Sequence, residues 1–202
     1  MAFIDVIAPA KASGRLEKVY RQVASPEGQV DNVLQVHSLR PHTLIGHMAI
    51  YKAVLHHTAN RLPEWYLEAV GVLVSQLNQC VYCANHHAAG LKRLMEAGSL
   101  AFDSYFEALQ LDVPGEPFTE REQSGLAYAR KLTQMPGQIE AADINVLREA
   151  GFADGEILEL NQVVAYFAYA NRTVSGLGVN MEGEVLGQSP PTGDDESGWS
   201  HA

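Results

Sequence analysis

The residues best suited to chemistry lie in one short run, Cys80-Val-Tyr-Cys83-Ala-Asn-His-His87, which contains both cysteines of the chain. A Cys-x-x-Cys pair followed by a histidine one helical turn later is typical of thiol oxidation and reduction. If the run is helical, Cys80, Cys83 and His87 share a stripe about 60° wide. Tyr82 and His86 then point away from that stripe. Residues three or four positions apart on a helix lie within about 5–6 Å, which suits disulfide closure and proton transfer, so we predict a redox-active dithiol.

A carboxylate, Glu68, lies twelve positions before Cys80 and joins this group only if the chain turns back on itself. Along one straight helix the two residues would stand about 18 Å apart and about 120° round the axis. Asn78 is a favourable N-cap residue, so we expect one helix to end and the next to begin there. Cys80 then lies at a helix N-terminus, where the dipole stabilises a thiolate and favours Cys80 as the more acidic thiol.

The spacing of these four residues resembles a known signature. Glu68, Cys80, Cys83 and His87 match the pattern of the AhpD-like alkyl hydroperoxidases, a branch of the carboxymuconolactone decarboxylase superfamily. Segments 147–157 and 171–179 are similar to the second half of its peroxidase-related subgroup, and the resemblance extends over residues 10–182.

The resemblance implies an all-α AhpD-like helical bundle that forms a homo-oligomer, a trimer or hexamer, and reduces organic hydroperoxides or hydrogen peroxide without a cofactor. It implies that Cys83 is the peroxidatic thiolate and that Cys80 resolves the sulfenic acid to a disulfide. Glu68 and His87 are implied as the proton relay. Electrons then come from a dithiol reductant, which is a lipoylated protein in the best-known members. Those members have a histidine where this chain has Tyr82, which leaves the peroxide rate and the reductant open.

The rest of the chain has helical periodicity, as in the spacing of Leu44, Met48, Tyr51 and Leu55. We predict an all-α fold with helices near residues 14–24, 30–38, 42–58, 64–77, 80–97, 99–110, 119–134, 141–150 and 154–178. With 202 residues, one domain is expected, over residues 1–186. Its N-terminal portion, to residue 110, carries the cysteines, and its C-terminal portion begins at 119. The Pro- and acid-containing residues 187–202 are predicted to form a flexible tail, or one docked on a neighbour.

Composition excludes several classes of function. The formal charge of -10, with no cluster of Lys or Arg among aromatics, argues against a nucleic-acid partner. No apolar run approaches the roughly 18 residues of a membrane span. The first residues lack the features of a secretory signal, so a reducing, cytoplasmic location is expected, where a lone cysteine pair is more often catalytic than structural.

Other interpretations of the cysteine pair stay open. The pair could serve a thiol–disulfide oxidoreductase with poor peroxide activity, or a helical oligomer that binds metal or senses oxidation without catalysis. A zinc site would take Glu68 as its fourth ligand, although three ligands along one helix are spread widely for a tetrahedron. A purely structural pair of buried cysteines is a further alternative.

The remaining histidines have no cysteine or carboxylate at a useful spacing and are expected on the surface or as satisfied core residues: His37, His42, His47, His56 and His57. His42 or His47 is a candidate for lining the entry to the thiols. Arg172 is expected in a buried ion pair that supports the scaffold.

Overall fold

The computed structural model describes residues 2–25, 27–188, 190 and 193–194 of the chain. Nine α-helices follow one another in these residues: α1 (Gly14–Val23), α2 (Asn32–Gln35), α3 (Pro41–Leu55), α4 (Glu64–Leu77), α5 (Val81–Ala97), α6 (Phe102–Leu109), α7 (Glu120–Gln134), α8 (Ala141–Glu149) and α9 (Asp154–Leu177). Short 3-10 helices occur at Pro9–Lys11 and Pro136–Gln138, and these described residues contain no β-strand. The predicted all-α class is confirmed.

Two helices are shorter than their periodicity indicates. The helix predicted at 30–38 is α-helical only over Asn32–Gln35, after which the backbone continues in tight turns. The helix predicted at 99–110 begins at Phe102. Ser99 has φ 60°, in the left-handed region that a right-handed helix excludes, so the helix cannot start there.

Different residues define the two ends of α9. The N-cap residue is Ala153, and Asp154 lies in the first turn. The Asp154 carboxylate accepts a hydrogen bond of 2.8 Å from Arg148 Nε at the end of α8. At the other end Gly178 has φ 66°, the left-handed conformation that commonly terminates helices.

Helix α4 is the central element of the bundle. It packs against α5, α7 and α9, and every residue from 66 to 75 is buried. A helix that is apolar on all sides is typical of a position inside protein. The one carboxylate in this stretch, Glu68, is therefore enclosed and needs a polar partner. No helix in the described part of the chain is long and apolar enough to cross a membrane.

The close approach of α4 and α9 makes Gly71 a sensitive position. A Cβ at Gly71 would stand 2.3 Å from the ring of Phe167, whereas a Cβ at Gly46 in α3 would meet nothing within 4 Å. We expect Gly71→Ala to lower the free energy of unfolding by about 1–3 kcal/mol through overpacking. Gly46→Ala is the matched control and should be neutral or stabilising, because alanine favours a helix over glycine. Urea unfolding of both variants checks this; equal midpoints would contradict it.

The predicted tail, residues 187–202, falls largely outside the described residues. One described residue, Gly193, donates its N–H to the carbonyl of His56 over 3.0 Å, so the chain at that point lies against its own helical body. The boundary at residue 186 and the flexibility of the tail stay predictions.

Candidate active site

The turn between α4 and α5 brings the sequence-predicted residues together. Asn78 ends α4, Gln79 takes a left-handed backbone (φ 56°), and Cys80 is the N-cap of α5. The chain therefore reverses within three residues, near the position that we predicted. Asn78 does not cap α5, however, because its side-chain amide donates instead to Asn171 Oδ1 over 2.9 Å.

The reversal places Glu68 beside His87. The Glu68 Oε2 and His87 Nδ1 atoms lie 2.6 Å apart, and the Glu68 side chain is only 1% exposed. The ring of Phe167 meets the His87 ring edge-on, with centroids 4.5 Å apart, and so restricts its orientation. A buried carboxylate that holds one ring nitrogen leaves the other nitrogen of His87 available for proton transfer.

The two thiols are buried, free and hydrogen-bonded to each other. Cys83 donates to Cys80, and this bond lowers the pKa of the Cys80 thiol to about 6 against the opposing effect of burial, with help from Ser175 and nearby His87. The same bond, together with burial, raises the pKa of Cys83, although Asn171 opposes the shift. The pair thus carries its thiolate on Cys80, as the N-terminal position on α5 predicts.

The pH dependence of alkylation should report this arrangement. Since only the thiolate reacts, the rate at which iodoacetamide labels Cys80 should fall about tenfold per pH unit below about pH 6 and level off above it. In Cys83→Ala the donor is gone, so the inflection should move upward by at least about one unit. Peptide mass spectrometry locates the label. An inflection near pH 8.5 in the unmodified protein would contradict the hydrogen bond.

The two thiols border different spaces. Cys83 lines a small, partly open cavity of about 60 Å³. The other residues of its wall include Val33, Leu34, His47, Met48, Tyr51, Glu68, Tyr82, His86, His87, Gly90, Tyr166, Gly187 and Gln188. Cys80 borders instead a pocket of about 310 Å³ with Gln79, Val81 and Phe106. A small molecule in the cavity meets Cys83 together with the Glu68–His87 pair, whereas Cys80 is approached from the other pocket.

Tyr82 and His86, which the helical wheel directs away from the stripe of Cys80, Cys83 and His87, nevertheless line the same cavity as Cys83 and His87. Their rings stack with centroids 4.4 Å apart, and both line the cavity. Tyr82 donates to Glu184 Oε1 over 2.8 Å, and His86 Nε2 lies 3.3 Å from the other carboxylate oxygen. The residue that sequence analysis missed is Glu184, which no local spacing could connect with Tyr82 because 102 positions separate them. The phenol at position 82 is thus committed to a carboxylate and to the backbone N–H of Val33.

Of the two candidate histidines for the entry, His47 lines the cavity and His42 is not among its wall residues. His47 is 3% exposed, and its Nε2 lies 3.4 Å from the Tyr166 hydroxyl. Its Nδ1 finds no hydrogen-bond partner among the described residues, so His47 is not the satisfied core residue that was expected. Burial lowers the pKa of His47 to about 3, and positive charge on His37 or His87 acts in the same direction because it disfavours a second positive charge nearby. The ring therefore stays neutral.

Two further expectations were wrong. His56 has a carboxylate partner after all, because its Nδ1 lies 2.6 Å from Glu64 Oε1 across the turn between α3 and α4. Arg172 is exposed and donates to the Ala168 carbonyl one turn earlier, so it is not in a buried ion pair. The buried polar residue beside it is Asn171, which donates to Ser75 Oγ over 3.1 Å.

The described residues also bear on the zinc alternative. Among them, no three His, Cys, Asp or Glu side chains are grouped so that they could hold a metal ion. Glu68, the proposed fourth ligand, is directed at His87 Nδ1. In the described residues Cys80 thus pairs with Cys83, and Glu68 pairs with His87.

Known structures share this arrangement of helices. The chain matches the crystal structure of an uncharacterized peroxidase-related protein with an alkylhydroperoxidase AhpD core, from Ralstonia eutropha JMP134, at TM-score 0.73 and 26% identity, over 92% of this chain and 97% of that one. It matches a peroxidase-related protein from Silicibacter sp. TM1040 at TM-score 0.71 and 26% identity, over 88% and 87% of the two chains. The protein has an AhpD-like fold.

A debrominase has the same fold. The AhpD-like chain also shares its fold with the debrominase Bmp8, solved with 2,3,4-tribromopyrrole, at TM-score 0.68 and 16% identity, over 91% and 95% of the chains. At that identity the likeness concerns the fold alone. No family model and no curated protein matches the sequence.

Proposed function

We propose that this AhpD-like protein is a thiol-dependent peroxidase that reduces hydrogen peroxide or organic hydroperoxides through a Cys80–Cys83 dithiol/disulfide cycle. The observation that carries the proposal is the small cavity whose wall Cys83 shares with a Glu68–His87 pair joined over 2.6 Å. A hydroperoxide needs a sulfur nucleophile and a proton donor for the leaving oxygen, and this wall offers both.

In the first step the Cys83 sulfur attacks the terminal peroxide oxygen, and its proton passes to the Cys80 thiolate with which it is hydrogen-bonded. The O–O bond breaks, and the leaving oxygen takes a proton from His87, which Glu68 orients. The products are a Cys83 sulfenic acid and one molecule of alcohol or water. Cys83 is the attacking residue in this proposal because the hydroperoxide meets Cys83 in the cavity, despite the lower pKa of Cys80.

In the second step Cys80 attacks the Cys83 sulfenic acid, and a water molecule leaves as the disulfide forms. A dithiol reductant, such as a lipoylated protein, then attacks the Cys80 sulfur from its own pocket, and Cys83 leaves as a thiolate. The second thiol of the reductant closes its own disulfide and releases Cys80 as a thiolate, and the two protons of the dithiol restore the Cys83 thiol and the proton that His87 gave up. Each cycle therefore consumes one hydroperoxide and one dithiol and yields an alcohol or water, a second water and one disulfide.

The decisive experiment is thiol titration of the reduced protein before and after one equivalent of hydrogen peroxide, repeated with cumene hydroperoxide. Mass spectrometry follows the peptide that carries Cys80 and Cys83. Loss of both thiols with a decrease of two hydrogen masses is the expected result. Persistence of both thiols with both oxidants would overturn the peroxidase proposal.

A second candidate is a thiol–disulfide oxidoreductase, favoured by the low pKa of Cys80, about 6, and by the open pocket beside it. Such an enzyme would exchange with a disulfide substrate at Cys80 and turn over peroxide poorly. Comparison of turnover on lipoamide disulfide with turnover on hydrogen peroxide separates the two candidates.

Two properties implied by the family resemblance belong to the proposal. We expect a homo-oligomer, a trimer or hexamer, which sedimentation equilibrium measures. We also expect a reducing, cytoplasmic setting, because the cycle requires the dithiol to be regenerated.

A further inference from the structure

Residues that follow α9 border the cavity beside Cys83 on one side. Gly187 and Gln188 form part of its wall. The backbone of Gly187 lies directly against α5, since a Cβ at Gly187 would stand 2.8 Å from atoms of Ala89 and Gly90. Gly90 is itself a wall residue and borders the Glu68 carboxylate. We call residues 180–188 the cover segment.

Buried polar contacts hold the cover segment in place. The Glu184 side chain is 4% exposed and accepts hydrogen bonds from Tyr82 and from the backbone N–H of Asn32. The Asn32 side chain donates to the carbonyls of Asn180 (2.9 Å) and Glu182 (3.2 Å). Breaking the contacts of a buried carboxylate that has several partners is costly in free energy. These contacts therefore stabilise the cover segment in its position beside the cavity.

The space beside Cys83 is small, although it is partly open. At roughly 10–15 Å³ for each water-sized occupant, the 60 Å³ of the cavity take about four to six such occupants. Hydrogen peroxide fits within that limit, whereas a hydroperoxide with a phenyl group is larger than the space. The described wall residues include the carboxylates of Asp31 and Glu68 but neither lysine nor arginine, which also disfavours an anionic hydroperoxide.

From these contacts we infer that the cover segment determines substrate size, and that with the segment in place the protein selects hydrogen peroxide and the smallest uncharged hydroperoxides. The inference rests on the proposed peroxidase function and names the substrate class of that site. Gly187 is the specificity-determining position, because any side chain there would collide with the α5 backbone and push the segment off the cavity.

Two glycine variants test this inference. Gly187 and Gly183 both have a left-handed backbone, at φ 78° and 82°, so alanine strains both positions alike. A Cβ at Gly183 meets nothing within 4 Å, and Gly183 does not line the cavity. We expect Gly187→Ala to raise the ratio of kcat/KM for cumene hydroperoxide to kcat/KM for hydrogen peroxide by about tenfold or more. An effect of this size is usual where a pocket discriminates between substrates that differ by one or two small groups. Gly183→Ala should keep the original ratio. An unchanged ratio in Gly187→Ala would overturn the inference.

A second readout needs no peroxidase activity. In a Cys80→Ser background, the rates at which iodoacetamide and the bulkier N-phenylmaleimide label Cys83 are compared by peptide mass spectrometry. Gly187→Ala, and separately Glu184→Ala, should raise labelling by the bulky reagent selectively. If the unmodified protein consumes neither peroxide, the proposed function fails and the labelling ratio still decides on the cover segment. Equal labelling ratios in all variants would refute the cover segment whatever the peroxidase result.

Discussion

Replacing Cys83 by serine is expected to lower the steady-state rate of hydrogen peroxide consumption by at least about 10³-fold. Cys83 lines the cavity, whereas Cys80 is not part of that wall. A serine hydroxyl keeps the size of the side chain but is a far weaker nucleophile toward a peroxide oxygen. The rate is measured with an excess of dithiol reductant. An unchanged rate would exclude Cys83 as the attacking residue.

Cys80→Ser is the informative companion, because it separates attack from resolution. If Cys83 attacks, this variant should still consume one equivalent of hydrogen peroxide slowly and stop at a sulfenic acid on Cys83, which a dimedone label detects. The attack should be slower than in the unmodified protein, since the Cys80 thiolate that accepts the Cys83 proton is absent. The opposite pattern, with a sulfenic acid on Cys80 in Cys83→Ser, would assign the attack to the residue with the lower pKa.

The second large effect concerns the buried pair behind the thiols. Glu68→Gln and His87→Gln are each expected to lower kcat/KM for hydrogen peroxide by about 10²-fold or more, the usual contribution of a positioned acid–base group. Because Glu68 acts through His87 over a contact of 2.6 Å, the double variant should be little worse than either single one. Stopped-flow kinetics of the three variants gives the coupling. Fully additive losses would show that the two residues do not act as a unit.

The chain offers a matched control for this pair. His56 and Glu64 also lie 2.6 Å apart, and neither is among the wall residues of the cavity. Glu64→Gln is therefore expected to leave hydrogen peroxide consumption unchanged, although it removes the same type of contact. A loss as large as that of Glu68→Gln would indicate a general effect of histidine–carboxylate pairs on the fold.

The sequence contained enough to predict the α4–α5 part of the site. Glu68 stands too far from Cys80 on a single helix, so a turn near Asn78 was the way to unite them, and the chain does reverse there. The acidity of Cys80 also followed from its place at a helix start and is reinforced by the hydrogen bond from Cys83. These features depend on neighbours in the chain, whose geometry is regular.

The other half of the cavity wall could not be predicted in this way. A helical wheel gives the direction in which Tyr82 and His86 leave α5, but not which segment packs against that side. In the structure Glu184 packs against Tyr82 and His86, and its position depends on the whole path of the chain from α5 past the end of α9. His56 shows the same limit at shorter range, since its partner Glu64 becomes a neighbour only through the turn after α3.

The separation of the two thiols has a kinetic consequence. The cavity beside Cys83 and the pocket beside Cys80 have no wall residue in common. In many two-substrate cycles that pass through an oxidised enzyme, both substrates use one site, and an excess of either blocks the other. Here an excess of dithiol would not occupy the place of the hydroperoxide. Such a protein could keep removing peroxide while reductant saturates it, and its turnover would level off with rising reductant instead of declining.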